Sequence, residues 1–112
     1  MEELDSVFWI RIDGVFYGKS IDEIAYFKSM WPWVKMVAVD EEFCFWESLA
    51  QVQKRVEKQS QDFIRVNRRY YINVCYVKDY TSKEIRMMDG TVISVNKKNM
   101  DYFREKVHEN SK

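Results

Sequence analysis

Apolar and aromatic residues stand on both sides of an Asp13-Gly14 step in "VFWIRIDGVFYGKS", residues 7–20. Asp-Gly between two such short runs is the dipeptide most favoured in tight hairpins, because both positions tolerate positive φ angles. Two paired strands are predicted there. "EIAYFKS" and "VKMVAVD" predict the next two, with "MWPW" as the loop between them, because Pro32 has no N–H to give to a ladder. "EFCFW" predicts a fifth. From Ser48 the period changes: Leu49, Val52 and Val56, with the stem of Arg55, recur at three- and four-residue spacing, and Ser48 with Gln51 matches a capping box. A helix of about three turns is expected. Strand character returns in "FIRV", "YYIN", "CYVKDY", "EIRMM" and "TVISV", with Asp89-Gly90 as a second hairpin turn. A final helix is expected from about Asn99, carrying Met100, Phe103 and Val107 on one face. The predicted fold class is mainly β, with one internal helix and a short C-terminal helix.

At 112 residues the chain is expected to be a single domain, residues 1–112, with room for one core rather than two. Three glycines, one proline and 46% hydrophobic residues exclude a disordered or fibrous chain. Its apolar runs fall far short of the roughly 20 residues that cross a bilayer, and "MEELDS" is acidic where a signal peptide is basic. A cytoplasmic protein with no membrane partner is therefore expected. Cys44 and Cys75 lie in apolar stretches without CxxC spacing, which predicts free, buried thiols and neither disulfide nor metal. Formal net charge is zero but unevenly placed. Residues 1–62 hold 7 basic and 12 acidic side chains, net −5, whereas residues 63–112 hold 11 and 6, net +5. That polarity points to an anionic partner at the C-terminal half.

Catalytic constellations fail on inspection. His108, the one histidine, sits in a charged tail with no zinc-ligand spacing around it. GxSxG, HExxH, a phosphate-binding glycine loop and a dinucleotide fingerprint are all missing, and "DEEF", residues 40–43, reads as a solvated turn. No enzyme and no cofactor is expected. What remains is a set of basic and polar residues where strands should break: Asn67, Arg68 and Arg69; Asn96, Lys97 and Lys98; and Lys28, Ser29 and Lys35 around the tryptophan loop. Arg grips a guanine edge or a phosphate with a planar fork, Asn pairs with adenine, and Lys neutralises backbone charge.

The run "FIRVNRRYYINVCYVKDY", followed by "IRMMDGTVISVNKKNMDYF", resembles the second half of a LytTR DNA-binding domain, the effector domain of many response regulators. That family's pattern is F-x-R-x-H-R-S-Y-x-V-N, then strands around a D-G or N-G turn, then an S-R-R-like stretch. "IDEIAYFKS" and "WESLAQVQKRV" resemble its first half, so the likeness spans about residues 7–107. It implies an elongated β fold of several short antiparallel sheets that binds double-stranded promoter DNA through loops. Carried over by position, the base-contacting places fall near Val34 and Lys35, on Asn67, Arg68 and Arg69, and on Asn96, Lys97 and Lys98. Asn67 stands where the family has His, Arg69 where it has Ser, and Asn96-Lys97-Lys98 replaces S-R-R. DNA binding with an altered sequence preference is the expectation, since Lys does not replace a bidentate Arg.

Within this reading Arg65, alternating with Ile64 and Val66, points out of its strand towards a phosphate, and Tyr70, Tyr71 and Ile72 anchor the loop to the core. Relatives couple the domain to a phosphorylated receiver or a membrane segment, and neither fits in this length. The chain is thus read as a stand-alone regulator or an effector domain cut from a larger one. A homodimer would read paired sites about one helical turn apart. The competing reading is a small β protein-interaction module that uses the aromatic surface of Trp31, Pro32 and Trp33.

Overall fold

The computed structural model describes residues 6–110. In chain order it contains β1 (Val7–Ile12), β2 (Val15–Ser20), β3 (Ile24–Met30), β4 (Trp33–Ala38), β5 (Glu42–Trp46) and the helix α1 (Leu49–Glu57). There follow β6 (Phe63–Arg65), β7 (Tyr70–Asn73), β8 (Val77–Tyr80), β9 (Glu84–Met87), β10 (Val92–Ser94) and the helix α2 (Lys97–Asn110). The strands form three antiparallel sheets: the hairpin β1-β2, a five-stranded sheet in the order β5-β4-β3-β7-β6, and a three-stranded sheet in the order β10-β9-β8. The mainly β class with two helices is as predicted, and the molecule measures 42 × 33 × 24 Å. Among the described residues no helix is long and apolar enough to cross a membrane.

The single core expected from chain length is in fact two clusters, one on each face of the five-stranded sheet. Phe27, Val34, Met36, Phe45 and Tyr71 point to one face, where Phe8 and Ile10 of the hairpin and Leu49, Val52 and Val56 of α1 cover them. Tyr26, Val37 and Ile72 point to the other, under Ile85, Met87 and Ile93 of the small sheet and Met100 and Phe103 of α2. Neighbouring residues such as Tyr26 and Phe27, or Tyr71 and Ile72, therefore serve different clusters, as the pleat requires. Ile24 and Phe27 share a cluster although they are three residues apart. The register shift between Ile24 and Tyr26 supplies the extra residue that makes this parity possible.

Local chemistry explains the turns. Asp13 and Gly14 have φ of 52° and 80°, the paired positive values of a two-residue hairpin. Asp89-Gly90 closes a longer turn in which the Met87 N–H donates to the Thr91 carbonyl at 2.9 Å and Gly90 takes φ of 94°. The capping box of α1 is present in both directions between Ser48 and Gln51.

Three expectations need correction. The tryptophan loop is only Trp31 and Pro32, since Met30 and Trp33 pair with each other in β3 and β4. Cys44 and Cys75 are exposed rather than buried. Cys44 alternates with Phe43 and Phe45, which pack into the first cluster, so it faces the end of the sheet that the second layer leaves open; Cys75 lies in the single helical turn after β7. Finally, α2 begins at Lys97 rather than Asn99, because Asn96 supplies its cap, accepting from the Asn99 N–H at 2.8 Å.

Asn73 is the one buried uncharged polar side chain among the described residues, donating to the Ile24 carbonyl at 3.0 Å and accepting from the Cys75 N–H at 2.9 Å. Replacing it leaves the Ile24 carbonyl unpaired in the core and frees the Cys75 N–H at its margin. Asn73→Ala is expected to lower unfolding stability by about 1–3 kcal/mol, read as a drop in the urea midpoint without a change in slope.

Candidate nucleic-acid interface

Three connections meet along one edge of the molecule: the β3–β4 turn, the β6–β7 loop and the junction between β10 and α2. Hydrogen bonds strap them together. The Ser29 N–H donates to the Arg69 carbonyl at 2.7 Å, joining the first connection to the second. The Asn67 side-chain amide donates to the Ser94 carbonyl at 2.9 Å, and that of Asn99 donates to the Val66 carbonyl at 3.0 Å, joining the second to the third. These residues lie up to 40 positions apart in the chain, so only folding brings them together.

The β6–β7 loop is rigid for reasons its side chains make plain. The Asn67 side-chain Oδ1 accepts from the Arg69 N–H at 2.8 Å and the Tyr70 N–H at 2.9 Å, an Asn-turn that substitutes for backbone pairing. Arg65 lies beneath, its guanidinium donating to the carbonyls of Asn67 and Arg68, both at 3.0 Å, and to the Gln53 side chain of α1 at 3.3 Å. Partial burial lowers the Arg65 pKa from its ordinary value, yet an arginine still carries its charge. Tyr71 and Ile72 are buried behind the loop, and Tyr70 packs against the second cluster.

Site residues predicted from sequence thus divide into two groups. Asn67 and Arg65 make their hydrogen bonds within the protein: the Arg65 guanidinium holds the carbonyls of the loop, and the Asn67 amide holds the loop on both its oxygen and its nitrogen. Asn96 is exposed, with its oxygen spent on capping α2. Lys35 stands back from the edge within β4, where it pairs loosely with Glu42 at 3.6 Å and lies directly across from Lys28. By contrast, Arg68, Arg69 and Lys98 are exposed, and among the described residues their side chains have no hydrogen bond or ion pair. Lys97 is 94% exposed and only 3.9 Å from Asp101, a weak contact. Lys28 rests over the Tyr70 ring at 5.7 Å.

Lys97 and Lys98 occupy the first turn of α2, where the helix dipole disfavours cations, so their placement there works against the stability of the helix. Sequence reasoning missed Ser29, Ser94 and Asn99 as straps. Asn96 offered a signal for the helix start, since Asn is a preferred N-cap. Ser29 stood among the polar residues beside the tryptophan loop, but its strap, like that of Ser94, uses a backbone group that residue type does not reveal.

The structure is thus a mainly β domain that presents a strapped, basic edge of loops. The family model described as the LytTr DNA-binding domain matches residues 16–108, and the chain belongs to that family. It is therefore a DNA-binding domain of a kind that serves transcription regulation, and its family is not one of enzymes. Among solved structures it shares its fold with the LytTr DNA-binding domain of a protein described as a methyl-accepting/DNA response regulator from Bacillus cereus. The TM-score is 0.71 at 20% identity, over 91% of this chain and 96% of that one. Comparison with curated proteins gave no match.

Since the Asn67 side chain makes three of the bonds that hold this edge, Asn67→Ala is expected to destabilise the fold by about 1–3 kcal/mol and to speed amide exchange at Arg69 and Tyr70. Hydrogen-exchange rates resolved by residue would check it; unchanged rates at those two amides would refute the strap.

Proposed function

We propose that the edge reads duplex DNA in a sequence-dependent way, with Arg68 and Arg69 entering the major groove and Lys97, Lys98 and Lys28 contacting phosphates. The observation that carries this reading is the division of labour along the edge. Arg65, Asn67 and Asn99 spend their hydrogen bonds on holding backbone, while the neighbouring Arg68, Arg69 and Lys98 are left exposed and unpaired. A rigid support under free guanidinium groups is what base reading demands, since each Arg must hold its fork in the plane of a guanine edge. Two further features are costly in a bare protein and sensible against an anion: the first-turn lysines of α2, and the like-charged pair Lys28 and Lys35 directly opposite each other on adjacent strands. Arg65 and Asn67 act as positioning residues, and Asn96 and Lys35 flank the contact.

By likeness to the Bacillus cereus domain, the chain acts as the effector of a response regulator in a two-component pathway, in the cytoplasm, on promoter DNA. Two copies on paired sites about one helical turn apart would double the contact. The first experiment is selection of bound sequences from a pool of random duplexes at moderate salt. A short enriched motif is expected, and bound DNA without any enriched motif would sink the reading. On the selected site Arg68→Ala is expected to cost about 1–3 kcal/mol and to relax preference at one position. Lys97→Ala should weaken all duplexes alike and reduce the slope of log affinity against log salt by about 0.9. Fluorescence anisotropy titrations over a range of salt concentrations separate the two.

A further inference from the structure

All four tryptophans of the chain, Trp9, Trp31, Trp33 and Trp46, are between 45% and 83% exposed, which is unusual for the residue with the most apolar surface to hide. They are also neighbours. Trp33 and Trp46 meet edge to face with centroids 5.1 Å apart, and Met30 pairs with Trp33 on the adjoining strand. A groove of about 420 Å³ runs from Trp31 and Pro32 to Trp46, and another of about 300 Å³ continues from Trp46 to Trp9 and Phe16. Trp9 lies flat across Gly18, where a Cβ would come within 2.8 Å of its ring, so the hairpin is shaped to hold that indole on the surface.

We infer that this aromatic stripe is a self-association surface, on which a second copy of the same chain docks. Area supports a stable contact. Allowing about 200 Å² for each aromatic side chain, the exposed parts of Trp9, Phe16, Trp31, Trp33 and Trp46, with Met30, present roughly 700 Å². That exceeds the 300–600 Å² of the largest apolar patch on an ordinary monomer and approaches the roughly 800 Å² that each partner buries in a standard interface.

Charge supports a like partner. The chain has zero formal net charge, so two copies do not repel. Within the grooves Arg55 is paired with Glu47 in two hydrogen bonds of 3.0 and 3.1 Å and stacks on Phe8 at 4.1 Å, while Arg11 lies over Phe16 at 5.7 Å. Of the charges lining the grooves, Arg55 and Glu47 can thus be covered as a pair, whereas Arg11 has only the Phe16 ring and belongs at the solvated rim.

Edges point the same way. The outer carbonyls of β1 at Val7 and Trp9 are capped by Gln59 and Arg55, both at 2.9 Å, whereas among the described residues no strand pairs with the outer edge of β2, which carries Val15 and Phe16 exposed. Position adds a further reason, one that rests on the DNA reading. The stripe begins at the β3–β4 turn, whose strand is bonded to the Arg69 carbonyl of the loop edge, so a copy bound to an adjacent site would be brought up against it.

The test is sedimentation velocity of the 112-residue chain without DNA, from about 1 µM to about 1 mM, a range that captures contacts of modest affinity. A monomer–dimer equilibrium is expected, weakened at least tenfold by Phe16→Ser or Trp46→Ser, with thermal midpoint and affinity for a single-site duplex unchanged. A chain that stays monomeric throughout, or variants that associate as tightly as the parent, would overturn the inference. Intrinsic fluorescence gives a second readout that needs no variant. With every tryptophan on the stripe, the emission maximum should move to shorter wavelength as concentration rises, and a maximum that does not move counts against it. If the parent chain self-associates but ignores selected DNA, the DNA reading fails and the self-association stands.

Discussion

Strands β3 and β7 are buried on both faces, and most of the architecture follows from keeping water off both. A sheet with a single apolar face could have been closed by the hairpin and α1 alone. Here Tyr26, Val37 and Ile72 on the second face demand a second cover, and the small sheet with α2 supplies it. Tyr26 ties the two layers together: its hydroxyl donates to Asp89 at 2.8 Å and lies 3.0 Å from the Thr91 hydroxyl, and burial pushes its pKa up to about 12, so it remains a donor at any physiological pH. The covering layers must reach the sheet from opposite sides, and the β3–β4, β6–β7 and β10–α2 connections are left along one edge.

That edge shows how a loop is made stiff without regular secondary structure. Arg65, Asn67 and Asn99 donate side-chain hydrogen bonds to four carbonyls, satisfying backbone groups that a loop would otherwise leave to water. Each of these residues has the chemistry of a nucleic-acid contact, and in this chain each is used inward. The exposed basic side chains beside them inherit a fixed backbone, which lowers the entropy lost when a guanidinium is immobilised on a partner.

The β3–β4 turn belongs to two surfaces at once. Just before it, Ser29 of β3 is bonded to the basic loops, and Trp31 and Pro32 of the turn itself open the aromatic stripe. The covering layers stop short of this end of the sheet, which is why Cys44, Trp46 and Lys35 share a face that Tyr26 and Ile72 have buried further along. Trp33 and Lys35, two residues apart on β4, thus set apolar and charged side chains next to each other on one face.

Much of the local structure was legible in the sequence because it depends on neighbours in the chain. Short apolar and aromatic runs marked the strands, Asp13-Gly14 and Asp89-Gly90 marked turns, and Ser48 with Gln51 marked the start of α1, all of them features of a few neighbouring residues. The motif around residues 63–73 was likewise legible and led to the correct family. Tertiary structure alone decided which apolar residue served which cluster, since a bulge at Ile24 changes the parity of β3 and periodicity cannot report a bulge. It also decided that Arg65 and Asn67 tie the loop to the rest of the fold while Arg68 and Arg69 stay free: beyond their bonds within the loop, their partners Gln53 and Ser94 lie 12 and 27 residues away. A residue's type sets what it can bond, but the partners within its reach depend on distances that exist only once the chain has folded.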